Sequence, residues 1–330
     1  MDNRNNKTGG NKGVLGIIIR KYMMLFVLIG LFVFLTIISR VFLNPRNIMN
    51  LFRQVAVIGI ISIGAGTVVI GGTFDMSVGS LCTMTGCACL LLQQRMPVLL
   101  AVLLTLLIGV GTGFINGFII TGIKGNSGDS FMVTYGMLTV LQAIALVITG
   151  GYPLNPSKSA AYNAIGSGTI GPLIPVSIIL FFVLAAIAAV VLQKTVFGRE
   201  IYYIGANPVV AKLSGINVTR NRIAAYMISG LCASMAAIVL TGRINGATAK
   251  MGHGFEFDAM TALVVGGISL SGGVGNMINM IIGVFIMGTL SNGLNILGVQ
   301  SENQYVARGL VLVIAVLVDV LKTRRMSKEV

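Results

Sequence analysis

Residues 97–122, PVLLAVLLTLLIGVGTGFINGFIITG, decide the fold class because they run without a single charged side chain. A helix of about 20 residues crosses the roughly 30 Å hydrocarbon layer of a bilayer, and this run is long enough to do so. The whole chain of 330 residues is 55% apolar and only 10% charged, a balance that soluble domains rarely show. The sequence therefore predicts a membrane protein that crosses the bilayer several times.

Ten apolar runs, separated by polar or glycine-rich breaks, can be read along the chain. They cover 22–42, 54–71, 76–93, 97–122, 130–149, 173–192, 223–241, 259–270, 277–297 and 304–321. The third and the eighth are short and rich in glycine, which predicts helices that are broken or packed inside the bundle, away from lipid. We therefore predict an all-α polytopic membrane bundle of about ten transmembrane helices.

The net charge of +14 comes from basic residues between the apolar runs, where positive-inside loops and anionic headgroups account for it. With the N-terminus inside, fifteen of the 23 Lys and Arg residues fall on the cytoplasmic face and eight on the other, so both termini are predicted to be cytoplasmic. The predicted domains are a polar cytoplasmic tail at 1–21, a transmembrane domain at 22–321 with a cytoplasmic loop at 193–222, and a basic cytoplasmic tail at 322–330. No basic face is interleaved with stacking aromatic residues, so we expect no nucleic-acid partner.

The stretch GREIYYIGANPVVAKLSGINVTRNR at 198–222 places charges in the longest loop of the cytoplasmic face. Asn207 is a good N-cap, Pro208 suits the first helical position, and Gly215 can end a helix in the left-handed conformation. The pattern predicts about two turns of amphipathic helix at the membrane surface, with an apolar face free to dock. That apolar face would consist of Val209, Val210 and Leu213. An ordinary loop helix lying on the surface fits the local pattern as well.

A weak internal repeat suggests two similar halves. The sequence VVIGG at 68–72 recurs as LVVGG at 263–267, and a stretch rich in Ser or Gly follows each copy. An Asn-Gly pair comes later in both halves, at 116–117 and at 292–293. Duplicated halves with glycine-interrupted segments are typical of transporters. Chance similarity within an apolar chain is the alternative.

Motifs for enzymatic chemistry are missing from the sequence. It contains no phosphate-binding loop of the G-x-x-x-x-G-K-[ST] form, so we expect ATP hydrolysis by that route to belong to another subunit. The single histidine, His253, rules out a His-pair metal site within the chain. The four cysteines fall in apolar runs and are interpreted as small core residues. We therefore expect no catalytic residue, no metal site and no cofactor in this chain.

Polar residues within or beside the apolar runs are candidates for a transport pathway. An ionisable group in hydrocarbon is costly, which makes it a functional hypothesis by default. Asp75 and Asp258 lie at predicted span ends, and Asp319 has Lys322 three residues on, so structural capping competes with function for all three. Asn116 and Asn292 could face a hydrated pathway or bond between helices. The candidate pathway or structural polar residues are Asp75, Ser77, Asn116, Asp258 and Asn292.

Four motifs together resemble the permease subunits of bacterial ribose-type sugar ABC importers. They are GGTFDMSVGS at 71–80, GTGFINGFIITGIKG at 111–125, FGREIYYIGANPVVAKLSGINV at 197–218, and GFEFDAMTALVVGGISLSGGVGN at 254–276 followed by SNGLNILGV at 291–299. The resemblance extends from about residue 25 to 321. It implies a subunit of the bacterial inner membrane that provides the path for a monosaccharide and performs no chemistry itself.

The resemblance also implies partners and a docking element. The partners are a cytoplasmic ABC ATPase, an extracytoplasmic sugar-binding protein, a second permease subunit in a homodimer or heterodimer, and membrane lipid. The loop would be the segment that docks on the ATPase and couples its closure to the membrane helices. Its residues would be Gly198, Arg199, Gly205, Asn207, Pro208, Ala211, Leu213, Ser214 and Gly215.

Two departures and two alternatives accompany this resemblance. Related permeases commonly have a proline-rich start to the fifth span, whereas this chain has GDSFMVTYG at 128–136, and FDMSVGS replaces the usual Ile-Asp-Leu around Asp75. A permease of the same superfamily for branched-chain amino acids or nucleosides is the nearest alternative. A stand-alone ion-coupled transporter is another, but the scarcity of carboxylates within the spans disfavours it.

Overall fold

The computed structural model describes residues 10–171 and 174–326, and this part of the chain forms thirteen helices and one two-stranded hairpin. The helices are α1 (Gly10–Ile38), α2 (Pro45–Ile70), α3 (Val78–Leu92), α4 (Val98–Gly122), α5 (Ser127–Thr149), α6 (Ala160–Ser167), α7 (Val176–Lys194), α8 (Val196–Ala206), α9 (Pro208–Leu213), α10 (Val218–Ile244), α11 (Phe255–Val265), α12 (Met277–Ile296) and α13 (Ser301–Met326). The strands are β1 (Thr169–Ile170) and β2 (Ile174–Pro175). A predominantly helical bundle is therefore confirmed.

Six of the helices in the described ranges are long and apolar enough to cross a membrane: α2, α4, α5, α7, α10 and α12. Two shorter apolar helical segments, Met23–Ile38 within α1 and Val78–Leu92, which is α3, accompany them. A membrane protein with several spans is thus confirmed. Each of the ten predicted apolar runs coincides with a helix, but ten membrane crossings remain a prediction.

Two helix boundaries differ from the prediction, and some short elements were not predicted. Helix α1 begins at Gly10, inside the predicted polar tail 1–21, of which residues 1–9 lie outside the described residues. Helix α13 continues to Met326, inside the predicted basic tail, of which residues 327–330 lie outside the described residues. Helix α6 and the hairpin were not predicted, because eight helical residues and two-residue strands are too short to give a periodic signal.

Helix α2 forms the centre of the bundle, where every residue from Val55 to Ile70 is buried. Helix α10 packs against it and, on another side, against α4. Gly109, Gly113 and Gly117 recur every four residues on α4, so they form one stripe that faces α10. A Cβ atom at Gly113 would overlap the backbone carbonyl of Tyr226. These small residues therefore allow the backbones of α4 and α10 to approach closely.

The outer surface of the bundle is apolar along its length. Val147 of α5 is 80% exposed, and Leu107 of α4 and Val190 of α7 are exposed to 64% and 58%. Exposure of such a surface to water would cost free energy. Contact with lipid tails would not, because the tails are as apolar as these side chains. The exposed faces of α4, α5 and α7 are therefore suited to lipid.

The two copies of the repeat end their helices in the same way. After α2, Gly71 N donates to Thr67 O and Gly72 N to Val69 O. After α11, Gly266 and Gly267 donate to residues at the same offsets, Ala262 and Val264. The second glycine of each pair is left-handed, with φ of 77° for Gly72 and 83° for Gly267.

The later Asn-Gly pairs do not occupy equivalent places. Asn116 lies in the second helix after the first glycine pair, whereas Asn292 lies in the first helix after the second pair. The shared helix ends support a local repeat. Two internally similar halves remain a prediction.

Candidate functional site

Helix α9 has the local structure that its sequence predicts. The Asn207 side chain accepts hydrogen bonds from Val209 N at 3.0 Å and Val210 N at 3.1 Å. Pro208 occupies the first turn, where its missing N–H costs nothing. Gly215 follows the helix in the left-handed region with φ of 83°. The preceding helix α8, which Thr195 caps by accepting from Gly198 N at 3.2 Å, was not predicted.

The apolar side of α9 faces outward from the chain. Val209, Val210 and Leu213 are 67%, 55% and 83% exposed, although an aqueous surface would be expected to carry polar groups there. Ala211 is buried against the protein, so α9 rests on its small residue and presents its large ones. This arrangement leaves an apolar ridge with no covering among the described residues.

Glycines join α9 and α8 to the rest of the bundle. Gly205 at the end of α8 lies against the end of α2, where an added Cβ atom would overlap Ile70 O. Gly273 N donates to the same carbonyl at 2.8 Å, and a Cβ atom at Gly272 would lie 2.6 Å from Gly72 Cα. We name this meeting of backbones the glycine junction. It consists of Gly72, Gly205, Gly272 and Gly273.

Hydrogen bonds tie α8 to its neighbours beside the junction. Tyr202 donates its hydroxyl to Gly275 O at 2.8 Å, and burial raises the pKa of this phenol above its ordinary value. Asn221 of α10 donates to the Glu200 carboxylate at 2.7 Å. Of the other predicted docking residues, Gly198 packs on the last turn of α7, while Arg199 and Ser214 are exposed. A displacement of α8 would therefore reach α2, α10 and the loop 266–276 together.

A groove of about 980 Å³ opens beside α9. It lies between α9, the connection from α4 to α5 and the start of α10, and three basic residues line it: Lys124, Lys212 and Arg222. We name it the basic groove. Neither the groove nor these three residues were singled out as a site from the sequence, because the residues lie far apart along the chain.

Inside the bundle, a buried polar network unites three of the predicted residues. Ser77 Oγ donates to Asp75 Oδ1 at 2.6 Å, and Asn116 Nδ2 donates to Ser77 Oγ at 3.0 Å. Ser229 Oγ of α10 donates to the other carboxylate oxygen of Asp75 at 2.7 Å. All four side chains are at most 1% exposed. The network therefore joins α4 and α10 to the loop between α2 and α3.

The backbone of that loop is held by three further side chains. Tyr226 donates to Phe74 O at 2.7 Å. Ser130 Oγ accepts from Phe74 N at 2.9 Å, and Thr134 Oγ1 accepts from Met76 N at 3.0 Å. Buried backbone groups in a membrane need partners within the protein, and here α5 and α10 supply them.

The sequence leaves structural capping and function open for Asp75, and the structure places its carboxylate in contacts between segments. Ser77 is the N-cap of α3, although its side chain makes no capping bond. The Asp75 carboxylate accepts from Ser77 N at 3.1 Å and from the hydroxyl groups of Ser77 and Ser229. Asp75 therefore links segments within the bundle. Its depth could not be read from its position at the end of an apolar run.

Asp258 and Asn292 belong to separate contacts. Arg308 of α13 donates to the Asp258 carboxylate at 2.7 Å, and its guanidinium lies 5.9 Å from the Tyr305 ring centroid. Asn292 and Asn47 exchange two amide hydrogen bonds of 2.9 and 3.0 Å between α12 and α2.

Asp319 of α13 and the cysteines complete the account of the predicted residues. Leu270 N donates to the Asp319 carboxylate at 3.3 Å, which connects α13 to the loop 266–276. All four cysteines are buried and free. Among the residues that the structure describes, no three His, Cys, Asp or Glu side chains are grouped so that they could hold a metal ion.

A family model and several curated proteins match the chain. The model described as the permease component of the branched-chain amino acid transport system matches residues 47–316. The ribose import permease protein RbsC of Bacillus subtilis is 41% identical over 298 residues, which cover 88% of this chain and 91% of the relative. RbsC of Escherichia coli K12 is 36% identical, with 88% and 92% covered.

A more distant relative and the solved structures complete the comparison. The xylose transport system permease protein XylH of Escherichia coli K12 is 29% identical over 381 aligned positions, which cover 96% of both chains. No solved structure matches the chain.

Proposed function

The chain belongs to the family of permease components of the branched-chain amino acid transport system type, and from this premise we propose that it is the membrane subunit of an ATP-driven importer for a monosaccharide. The observation that carries the proposal is the 41% identity to a ribose import permease over 88% of the chain. Another relative is a permease of a xylose transport system. A pentose of the ribose type is therefore the substrate that we would test first.

The transport mechanism relies on α9 and the glycine junction. ATP hydrolysis takes place in a separate cytoplasmic ATPase, and the apolar ridge of Val209, Val210 and Leu213 docks on it. When the ATPase closes, α9 and α8 move with it. The junction passes this movement to α2 and to the loop 266–276, because segments whose backbones are in direct contact can hardly move independently.

The arrangement in the membrane follows the sequence prediction. About ten helices cross the bilayer of a bacterial cell membrane, in two related halves, and both termini and α9 lie in the cytoplasm. An extracytoplasmic binding protein delivers the sugar at the opposite face. A second permease subunit completes the pathway, and this chain needs no cofactor.

The polar residues of the bundle have a supporting role in this proposal. The carboxylate of Asp75 and the amide of Asn116 are occupied by bonds between segments, as are Asp258 and Asn292. We propose that these bonds hold the helices in register around the path. These side chains would contact sugar only in a state in which the bonds open.

A reconstituted system tests the substrate and the energy source. Proteoliposomes that contain this chain, its ATPase and a ribose-binding protein are expected to accumulate labelled ribose only with ATP and the binding protein. Leucine, supplied with a leucine-binding protein, tests the alternative that the chain imports a branched-chain amino acid. Accumulation of leucine but not ribose would contradict the sugar proposal. Accumulation without the ATPase under an ion gradient would instead favour an ion-coupled transporter.

The docking role of α9 has its own test. The double variant Val210→Glu and Leu213→Glu places two charges on the exposed ridge, so we expect normal membrane insertion but at least about tenfold weaker co-purification of the ATPase, since about 1.4 kcal/mol lost at an interface is tenfold. Tyr152→Glu is the matched control, because Tyr152 is 76% exposed at the other end of the bundle, after α5. Equal ATPase recovery from the two variants would rule out α9 as the docking element.

A further inference from the structure

The basic groove combines size with uncompensated positive charge. Lys124 and Lys212 are exposed along its walls, and Arg222 lies at its base. None of the described residues that line the groove carries a carboxylate. The groove can therefore accommodate a ligand that is both negatively charged and larger than a simple ion.

Arg222 differs from the two exposed lysines of the groove because it is only 8% exposed. Its Nη1 donates to Gly125 O at 2.9 Å, and its Nε is buried without a hydrogen-bond partner. In the part of the chain that the structure describes, Arg308 and Asp258 form the ion pair. Arg222 has no carboxylate partner among these residues. A buried cation without a counter-charge is costly, and an anion in the groove would offset that cost.

The carboxylates on neighbouring elements are already engaged. Asp129 of α5 accepts from Asn126 N at 2.9 Å and so closes the first turn of its own helix. Glu200 of α8 accepts from Asn221 at 2.7 Å. Neither residue lines the groove. The counter-charge for Arg222 is therefore expected to come from outside the chain.

The position of the groove indicates which anion is within reach. It lies where α4 ends at Gly122 and where α5 and α10 begin, at Ser127 and Val218. The ends of spanning helices lie at the level of the lipid headgroups, where phosphate groups are concentrated. Basic pockets between transmembrane helices on the cytoplasmic side are suited to anionic headgroups.

We infer that the basic groove binds the phosphate group of an anionic phospholipid, with Lys124, Lys212 and Arg222 as its cationic partners. The planar guanidinium of Arg222 can donate two hydrogen bonds to phosphate oxygens, and the two lysines supply mobile positive charge. The bound headgroup would brace α9 against α10 and the α4–α5 connection. This inference does not rest on the identity of the transported substrate.

The test compares lipid binding by the purified full chain and two double variants. Lys124→Gln with Lys212→Gln removes two exposed charges from the groove and leaves the buried Arg222 in place. Lys194→Gln with Arg220→Gln is the matched control, because these residues are exposed at the end of α7 and the start of α10 but do not line the groove. Native mass spectrometry measures the binding of phosphatidylglycerol, with phosphatidylcholine as the neutral lipid.

We expect the groove variant to bind phosphatidylglycerol about 25-fold more weakly than the wild type, because each basic residue near an anionic headgroup contributes about fivefold. The control variant should stay within about twofold of the wild type, and phosphatidylcholine should bind all three proteins alike. Equal losses in both variants would overturn the inference, since the attraction would then be unspecific.

A second arm separates lipid from a soluble anion. Inorganic phosphate at millimolar concentration is added to the detergent-solubilised wild type, and the melting temperature is compared with that in phosphatidylglycerol. A rise with phosphatidylglycerol alone supports a lipid site. If inorganic phosphate without lipid raises the melting temperature as much as phosphatidylglycerol does, the lipid inference is overturned in favour of a soluble anion.

Discussion

At the scale of single residues, Asp75 shows what polar groups contribute inside this bundle. Its carboxylate is completely surrounded by protein and accepts from Ser77 on one side and Ser229 on the other. Each bond replaces a hydration that lipid cannot provide. The hydroxyl groups are therefore as necessary to the network as the carboxylate.

A serine-to-alanine pair on α10 tests this statement. Ser229→Ala leaves one oxygen of a buried carboxylate without its donor, so we expect a loss of about 1–3 kcal/mol in stability. Ser234→Ala is the matched control, because Ser234 is equally buried on α10 but donates only to its own helix, at Gly230 O and Leu231 O. The measurement is the melting temperature in detergent. A similar fall in melting temperature in both variants would show that the bond from Ser229 to Asp75 contributes no more to stability than the bond of Ser234 within its helix.

The network could be predicted only in part. Asp75, Ser77 and Asn116 stand out in the sequence because polar residues are rare in apolar runs. Ser229 does not stand out, since a serine in a helix with Ala and Gly neighbours is also typical of close packing. The angle at which α10 turns Ser229 toward Asp75 depends on the packing of several helices at once, and no local pattern encodes it.

At the scale of helices, α4 distinguishes two kinds of glycine within one turn. Gly113 faces α10, where an added Cβ atom would overlap the Tyr226 carbonyl. Gly111 has no atom within 4 Å of the place where a Cβ atom would lie. Spacing in the sequence shows a stripe of small residues, but only the structure assigns each glycine to the interface or to the lipid side.

The two glycines on α4 therefore predict opposite results for the same substitution. Gly113→Ala should destabilise the protein by about 1–3 kcal/mol because the α4–α10 pair must separate. Gly111→Ala should leave it unchanged or slightly more stable, since alanine favours a helix. Melting temperatures of the two variants check this directly. If Gly113→Ala melts with the wild type, the close approach of α4 and α10 is not needed for stability.

Helix α9 was predictable because its ends are encoded locally. Asn207, Pro208 and Gly215 act within three or four residues, and the structure has all three in the expected roles. Helix α8 was missed, because its glycines at 198 and 205 weaken the helical pattern although they are there for contacts with α7 and α2. Long-range packing thus overrides local propensity in α8 and agrees with it in α9.

At the scale of the whole molecule, the bundle has two dissimilar ends. One end carries α9, the basic groove and the glycine junction. The other carries α6 and the hairpin, where Arg53 donates to Ser167 O at 2.5 Å. The first end is built for a cytoplasmic partner in the proposed function, so the two ends should differ in their accessibility to reagents.

Cysteine labelling tests this assignment, and the wild type gives a low background because all four cysteines are buried. Leu213→Cys places a thiol on α9, and Tyr152→Cys places one at the other end; both positions are highly exposed. A membrane-impermeant maleimide should label Tyr152→Cys in spheroplasts with the outer face exposed, and Leu213→Cys only in inverted vesicles. The opposite labelling would reverse the proposed orientation.

The sequence predicts the class of the molecule better than its number of crossings. Apolar runs reveal where helices form, and every one of the ten coincides with a helix. Helix α11, however, has only 11 residues, and α13 carries charged residues at both ends. The depth of such helices depends on what surrounds them, so counting apolar residues does not settle how far each one reaches.

The glycine junction has a consequence for how this subunit can evolve with its partner. Its contacts at Gly72, Gly205, Gly272 and Gly273 are made mainly by main-chain atoms. If the ridge of α9 docks as proposed, its side chains could change together with the ATPase surface while the glycine junction beneath it keeps the same shape. In the proposed function, partner choice would depend on the side chains of α9 and force transmission on the glycines, so substitutions could alter the first without changing the second.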